Sequence, residues 1–120
     1  METIRVGEKE LIDKYEVVTL CGSTKFKDDF LKMSKILTLQ GYICILPGVF
    51  GHSGDNEAMN SDTKKMLDDM HKRKIDMSDG IYVINKNGYI GDFTKSEIEY
   101  AQSKKKWITY METPIEEDVT

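Results

Sequence analysis

The stretch Tyr15–Thr24 reads YEVVTLCGST, and it decides the fold. From Tyr15 to Cys21 it forms a run of β-branched and apolar residues. Such a run is typical of a strand buried on both faces, as in a parallel sheet. Gly22, Ser23 and Thr24 follow at once, so the strand is predicted to run through a short turn into a helix.

Outward from this strand the same alternation repeats to the end of the chain. Apolar residues recur at helical spacing after Thr24, and Gly41 ends that helix. The predicted helices cover 24–40, 61–77 and 94–105, and the predicted later strands cover 42–46, 81–85 and 107–111. A β-α-β-α-β-α-β order requires a parallel sheet with helices on both faces. We therefore expect an α/β fold: a flavodoxin- or Rossmann-like three-layer sandwich whose sheet has four or five strands in the order 2-1-3-4.

Length and charge restrict the class of protein. A chain of 120 residues is expected to form one domain over 1–120, with 112–120 as a loosely held acidic tail. The net charge of −4 argues against a nucleic-acid polymer as partner. No apolar run approaches the roughly 20 residues of a membrane span. These features predict a cytoplasmic protein that acts on a small molecule.

Cysteine and histidine usage gives no reason to expect a metal or another cofactor. Cys21 and Cys44 fall inside predicted strands, where buried free thiols in a reducing compartment are expected. His52 and His71 have no ligand partner at zinc-like spacing in the sequence.

The fold predicts where a site lies. In open α/β sheets, ligands bind at the carboxyl ends of the strands, where the strand order reverses. For the order 2-1-3-4 that point lies between strands 1 and 3. The loops that leave these strands read CGSTKF (21–26) and INKNGYIGDFTKSE (84–97). A third loop, GVFGHSGDNEAMN (48–60), has the length of a functional lid.

The CGSTKF loop has two interpretations. Gly22 permits close backbone approach, Ser23 and Thr24 offer hydroxyl groups, and Lys25 adds positive charge, so the loop suits an anion. The simpler interpretation is a helix N-cap formed by Ser23 or Thr24.

The acidic residues also have more than one interpretation. Thr94-Lys95-Ser96-Glu97 fits a capping box, in which Glu97 only closes a helix start. A carboxylate in the first turn is also favoured by the helix dipole, which suits a reacting group. Asp79 precedes Gly80, and this pair is typical of an ordinary turn. Asp92 is equally consistent with a solvated acidic residue in a loop.

Taken in order, these segments resemble the nucleoside 2-deoxyribosyltransferase-like superfamily, which includes deoxyribosyltransferases and 2'-deoxynucleoside 5'-phosphate N-hydrolases. The resemblance is carried by a strand that ends in LCGS, an Asp just before the third strand, and a Gly-containing loop that leads into SEIEYA. It covers roughly Val17 to Ala101.

The resemblance implies roles for individual residues. Glu97 matches the family's nucleophile, and Asp79 matches the aspartate that positions the nucleoside and assists departure of the base. Gly22 and Ser23 lie where the family holds the sugar or its 5'-phosphate. The remaining candidates for substrate binding are Thr24, Lys25, Asn85, Gly91 and Asp92, the last for base recognition.

The expected function is cleavage or transfer at the N-glycosidic bond of a (deoxy)nucleoside or its 5'-monophosphate. The resemblance also implies a homodimer or a larger homo-oligomer. Two alternatives stay open from the sequence. One is a nucleotide-binding or sensing module without turnover on the same scaffold. The other is a small interaction protein in which Glu97 is only a cap.

Overall fold

The structure is a computed structural model and describes residues 10–51 and 59–114. One parallel sheet contains all of its strands, which are β1 (Val17–Gly22), β2 (Ile43–Ile45), β3 (Gly80–Ile84) and β4 (Trp107–Tyr110). Their order is β2-β1-β3-β4, which confirms the predicted fold class and strand order. The described residues contain no fifth strand.

Three helices cover the two faces of this sheet. They are α1 (Lys27–Leu39), α2 (Ser61–Asp76) and α3 (Asp92–Ser103). Helix α1 packs Phe30 and Leu37 on one face, against β1 residues such as Leu20. Helices α2 and α3 pack on the other face, where their apolar residues meet those of β1 and β3: Cys21, Ile75, Ile81, Val83, Ile98 and Ala101.

The carboxyl ends of β1 and β3 lie side by side. Gly22 at the end of β1 pairs with Ile84 at the end of β3. A Cβ atom on Gly22 would lie 2.7 Å from the Ile84 carbonyl oxygen, so a side chain there would push the two strands apart. The loops after β1 and β3 therefore leave the sheet from adjacent positions.

Glu112, the first residue of the tail expected to be loose over 112–120, contacts the loop after β3. Glu112 exchanges two hydrogen bonds of 2.8 Å with the side-chain amide of Asn85, and its Oε2 atom accepts one of 2.9 Å from the Asn87 amide. Three hydrogen bonds thus hold the first residue of the predicted tail against the loop after β3. Residues 115–120, like His52 and most of the predicted lid, lie outside the described part of the chain.

In the described ranges, none of the helices combines the length and apolar character that crossing a membrane requires.

Candidate functional site

Glu97 lies on the inner face of α3 and is not a helix cap. The helix begins at Asp92 with Gly91 as its N-cap, and Gly91 has no side-chain capping bond. The predicted start at Thr94 is therefore two residues late, and Glu97 lies in the second turn. The buried positions of α3 recur at helical spacing and face the sheet: Thr94, Glu97, Ile98 and Ala101. Glu97 is consequently a buried carboxyl, with only 8% of its surface exposed.

Two buried side chains from two other elements meet Glu97. The Nε2 atom of His71, on α2, lies 3.3 Å from the Sγ atom of Cys21, near the end of β1. The same Nε2 atom lies 3.7 Å from the Oε1 atom of Glu97. All three polar atoms lie within 4.8 Å of one another. We call Cys21, His71 and Glu97 the buried cluster.

Burial governs the protonation of the buried cluster. Desolvation, followed by the negative charge of Asp68, raises the pKa of Glu97 to about 8. Desolvation lowers the pKa of His71 to about 4, with a contribution from the positive charge of Lys74. Desolvation, followed by the charge of Glu97, raises the pKa of the Cys21 thiol well above its usual value. At neutral pH the free protein therefore holds all three groups mainly in their uncharged forms.

This result corrects the expectation that the helix dipole favours an ionised Glu97. The dipole acts within the first turn of a helix, whereas Glu97 lies in the second. At this position, the energetic cost of removing the carboxylate from water exceeds any stabilisation by the helix dipole.

The loops after β1 and β3 meet at the edge of the sheet formed by the carboxyl ends of the strands, as the fold predicts. We call this the carboxyl edge. The Nζ atom of Lys25 lies 3.8 Å from the ring centroid of Tyr89, a cation–π contact. The rings of Phe26 and Tyr89 pack edge to face, with centroids 6.0 Å apart. A small cleft beside them carries charges of both signs, and Lys86 pairs there with Asp29 at 3.4 Å.

The interpretation of Ser23 as a cap is supported by its contacts. Its Oγ atom accepts a hydrogen bond of 3.3 Å from the Lys25 amide, at the start of the short 3-10 turn Thr24–Phe26. Helix α1 begins only after this turn, at Lys27. Thr24 is half-buried in the turn, and the Lys25 side chain is exposed above it.

Asp79 lies at the opposite edge of the sheet from Gly22. It precedes β3, and its Oδ2 atom accepts a hydrogen bond of 2.7 Å from the Val17 amide at the start of β1. Cys21 lies four positions after Val17 along β1, a distance of about 13 Å. The roles that the resemblance implies would bring Asp79 and Glu97 to one site, whereas the structure places Asp79 at the other edge of the sheet. The carboxylate of Asp79 ties the starts of two strands together.

The other predicted residues lie near the carboxyl edge in different settings. Asn85 is buried, and its amide is occupied by Glu112. Gly91 and Asp92 form the start of α3, where the Asp92 side chain is exposed. Of these three, Asp92 alone presents a polar side chain to solvent.

Sequence reasoning missed Cys21 and His71 as partners of Glu97. His71 and Ile75 are the two buried residues of α2, one helical turn apart. Because His71 and the apolar Ile75 are four residues apart, the sequence could have placed both on the helix face that meets the sheet. What the chain spacing could not show is which side chains of β1 and α3 that face meets.

Searches of protein-family profiles, curated proteins and solved structures found no match to this chain. The functional argument therefore rests on the geometry of the site together with the resemblance that its segments carry.

Proposed function

We propose that this protein cleaves or transfers at the N-glycosidic bond of a nucleoside or its 5'-monophosphate, with Glu97 as the nucleophile. The observation that carries the proposal is the position of Glu97. Its carboxyl lies within 4.8 Å of the Cys21 thiol, and Cys21 is near the carboxyl end of β1, at the point where the strand order reverses. Ligands of open α/β sheets bind at this point.

The perturbed protonation of Glu97 supports the same assignment. Strongly shifted pKa values are concentrated at functional sites, because burial and nearby charges are arranged there to tune reacting groups. A pKa of about 8 costs the folded protein stability whenever the group ionises. A purely structural carboxyl at this position could be replaced by an amide without that cost.

The reaction proceeds in two displacements. An ionised Glu97 oxygen attacks the anomeric carbon, the bond from that carbon to the base nitrogen breaks, and its electron pair leaves with the base, which takes up a proton. Water, or a second base, then attacks the same carbon and releases the Glu97 carboxylate. At pH 7 about a tenth of the free protein carries the ionised form, given a pKa of about 8.

The carboxyl edge offers groups that suit the rest of such a substrate. Tyr89 is about half exposed and presents an aromatic ring, on which a base or sugar can pack. Lys25 lies over that ring and is exposed, so its ammonium group can bind a 5'-phosphate. Asp79 has no place in this proposal, because its carboxylate bonds the Val17 amide at the other edge.

A nucleotide-binding module without turnover is the second candidate. It is favoured by one observation: the uncharged state of Glu97 at neutral pH, which leaves most molecules without an ionised nucleophile.

The test is release of free base, measured by chromatography. The wild type, Glu97→Gln and Glu99→Gln are incubated with deoxy- and ribonucleosides and with their 5'-monophosphates. Glu99 is the matched control, since it lies on the same helix but is exposed. We expect release by the wild type and by Glu99→Gln, and at least a thousandfold slower release by Glu97→Gln. Mass spectrometry of a slow substrate should detect a glycosyl ester on Glu97.

Two results would overturn the proposal. Undiminished release by folded Glu97→Gln would remove Glu97 from the chemistry. Binding of a nucleotide with no release of base over hours would assign the protein to the binding module instead.

A further inference from the structure

We propose that the buried cluster of Cys21, His71 and Glu97 binds a divalent transition-metal ion of the zinc type. The cluster offers one thiol, one imidazole nitrogen and one carboxyl oxygen, supplied by β1, α2 and α3. Zinc takes these three ligand types, and a site with three protein ligands leaves a fourth position open for water.

Two of the three distances between the ligand atoms are close to those around a tetrahedral ion, and the third, between Cys21 and Glu97, is within 4.8 Å. Bonds of about 2.0–2.3 Å at tetrahedral angles place neighbouring ligand atoms about 3.3–3.6 Å apart. The observed separations are 3.3 Å between Cys21 Sγ and His71 Nε2, and 3.7 Å between His71 Nε2 and Glu97 Oε1. Both involve the same imidazole nitrogen, so a single ion near that nitrogen can reach all three groups with small side-chain shifts.

The negative charge of Asp68 also favours a cation at the buried cluster. Asp68 lies one helical turn before His71, and its negative charge acts on both His71 and Glu97. Its Oδ1 atom is buried and has no hydrogen-bond partner among the described residues. Its Oδ2 atom lies 3.6 Å from the Lys72 ammonium, which balances part of that charge. A water bound to the ion would provide a partner for Oδ1.

Binding exchanges protons for the ion. Cys21 binds as the thiolate and Glu97 as the carboxylate, so the thiol proton and any carboxylic acid proton pass to solvent. His71 binds through the lone pair of Nε2.

The consequence for turnover rests on the proposed function. A carboxylate held by a metal ion cannot attack the anomeric carbon, so zinc should inhibit base release. Metal binding itself does not depend on that function, and the two can be tested separately.

The experiment titrates the metal-free full chain with Co²⁺ and records the absorption spectrum. A thiolate ligand gives a charge-transfer band in the near ultraviolet, and tetrahedral Co²⁺ gives intense bands in the visible. Zn²⁺ affinity follows from competition with a chromophoric chelator. The variants are Cys21→Ser, His71→Gln and, as matched control, Cys44→Ser. Cys44 is the other free cysteine, and its Sγ atom contacts Ser34, Thr38 and Tyr42, away from the buried cluster.

We expect one Co²⁺ per chain, both sets of bands in the wild type and in Cys44→Ser, and loss of the charge-transfer band in Cys21→Ser. Zn²⁺ should bind at least about tenfold more weakly to Cys21→Ser and to His71→Gln. Unfolding curves establish that each variant is folded. If Cys21→Ser does not fold, His71→Gln decides the question by the loss of tetrahedral bands.

Absence of the bands in the wild type, or equal Zn²⁺ affinity in all variants, would overturn the metal site and leave a hydrogen-bonded cluster. Base release without metal binding would retain the proposed function alone. If the Co²⁺ bands appear but no compound releases its base, the metal site is supported and the proposed function is not.

Discussion

The Nε2 atom of His71 lies 3.7 Å from the Oε1 atom of Glu97, yet the two side chains do not form an ion pair at neutral pH. The separation alone is that of a salt bridge. However, burial holds the pKa of His71 at about 4 and that of Glu97 at about 8, so both are uncharged over most of the range between. The cost of removing two charges from water exceeds their mutual attraction here. The contact is thus a neutral one between an imidazole and a carboxylic acid.

This neutral contact predicts an asymmetric dependence of stability on pH in the metal-free protein. The pKa of Glu97 rises from 4.5 to about 8 on folding, so the folded state keeps a proton that the unfolded state loses, and stability falls as pH rises through that window. The pKa of His71 falls from 6.5 to about 4, so stability falls as pH decreases through that window. The two effects cancel between about pH 4.5 and 6.5. From pH 6.5 to 8 only Glu97 acts, and the free energy of unfolding should fall by about 2 kcal/mol.

Urea unfolding at pH 5.5, 6.5 and 8, with a chelator present, measures this decrease. Glu97→Gln should abolish the decrease between pH 6.5 and 8, whereas the exposed control Glu99→Gln should retain it. An equal decrease in Glu97→Gln would show that another group causes it.

The rate of base release should depend on pH through the same carboxyl group. The nucleophile must be ionised, and kcat/KM reports the pKa of the free protein. With the pKa of Glu97 at about 8, kcat/KM should rise about tenfold per pH unit from pH 6 to 7 and level off above pH 8. Initial rates in overlapping buffers measure the profile. A rate that is constant from pH 6 to 8 would mean that Glu97 ionises much more readily than its burial implies, or that it does not react.

The elements of the fold were predictable because each is encoded locally. The apolar run that ends at Cys21 is itself enough to predict a strand buried on both faces. The alternation of strands and helices then permits only a few sheet topologies. The boundaries were less predictable: α3 begins at Asp92, because Gly91 serves as the N-cap where the Thr94 box was expected. A capping box is a local preference, and packing of Thr94 against the sheet overrides it.

The buried cluster was not predictable from spacing. Cys21 and His71 are 50 residues apart in the chain, and their contact depends on how α2 lies across the end of β1. Asp79 is a different case, because the topology alone could have placed it correctly. A residue directly before a parallel strand lies at the amino edge of the sheet, away from the loops that follow the strands.

Asp79→Ala should lower stability without slowing base release. It removes the acceptor of the 2.7 Å bond from the Val17 amide, at a cost of about 1 kcal/mol in the free energy of unfolding. Asp79→Asn keeps an acceptor oxygen and should recover most of that loss. Urea unfolding and kcat for base release are the two measurements. A large decrease in kcat for folded Asp79→Asn would instead give Asp79 the catalytic role that the resemblance implies.

Lys25→Ala should discriminate between a nucleoside and its 5'-monophosphate. The Lys25 ammonium lies over the Tyr89 ring at the carboxyl edge, and a charge-assisted bond to a phosphate is worth about 1.5–3 kcal/mol. Its loss should raise KM for the monophosphate by about 10- to 100-fold and leave KM for the nucleoside nearly unchanged. The matched control is Lys32→Ala, which removes an exposed lysine from α1 and alters net charge equally. An equal loss on both substrates for Lys25→Ala would show that the residue supports the loop through Tyr89, and that the phosphate binds elsewhere or is not recognised.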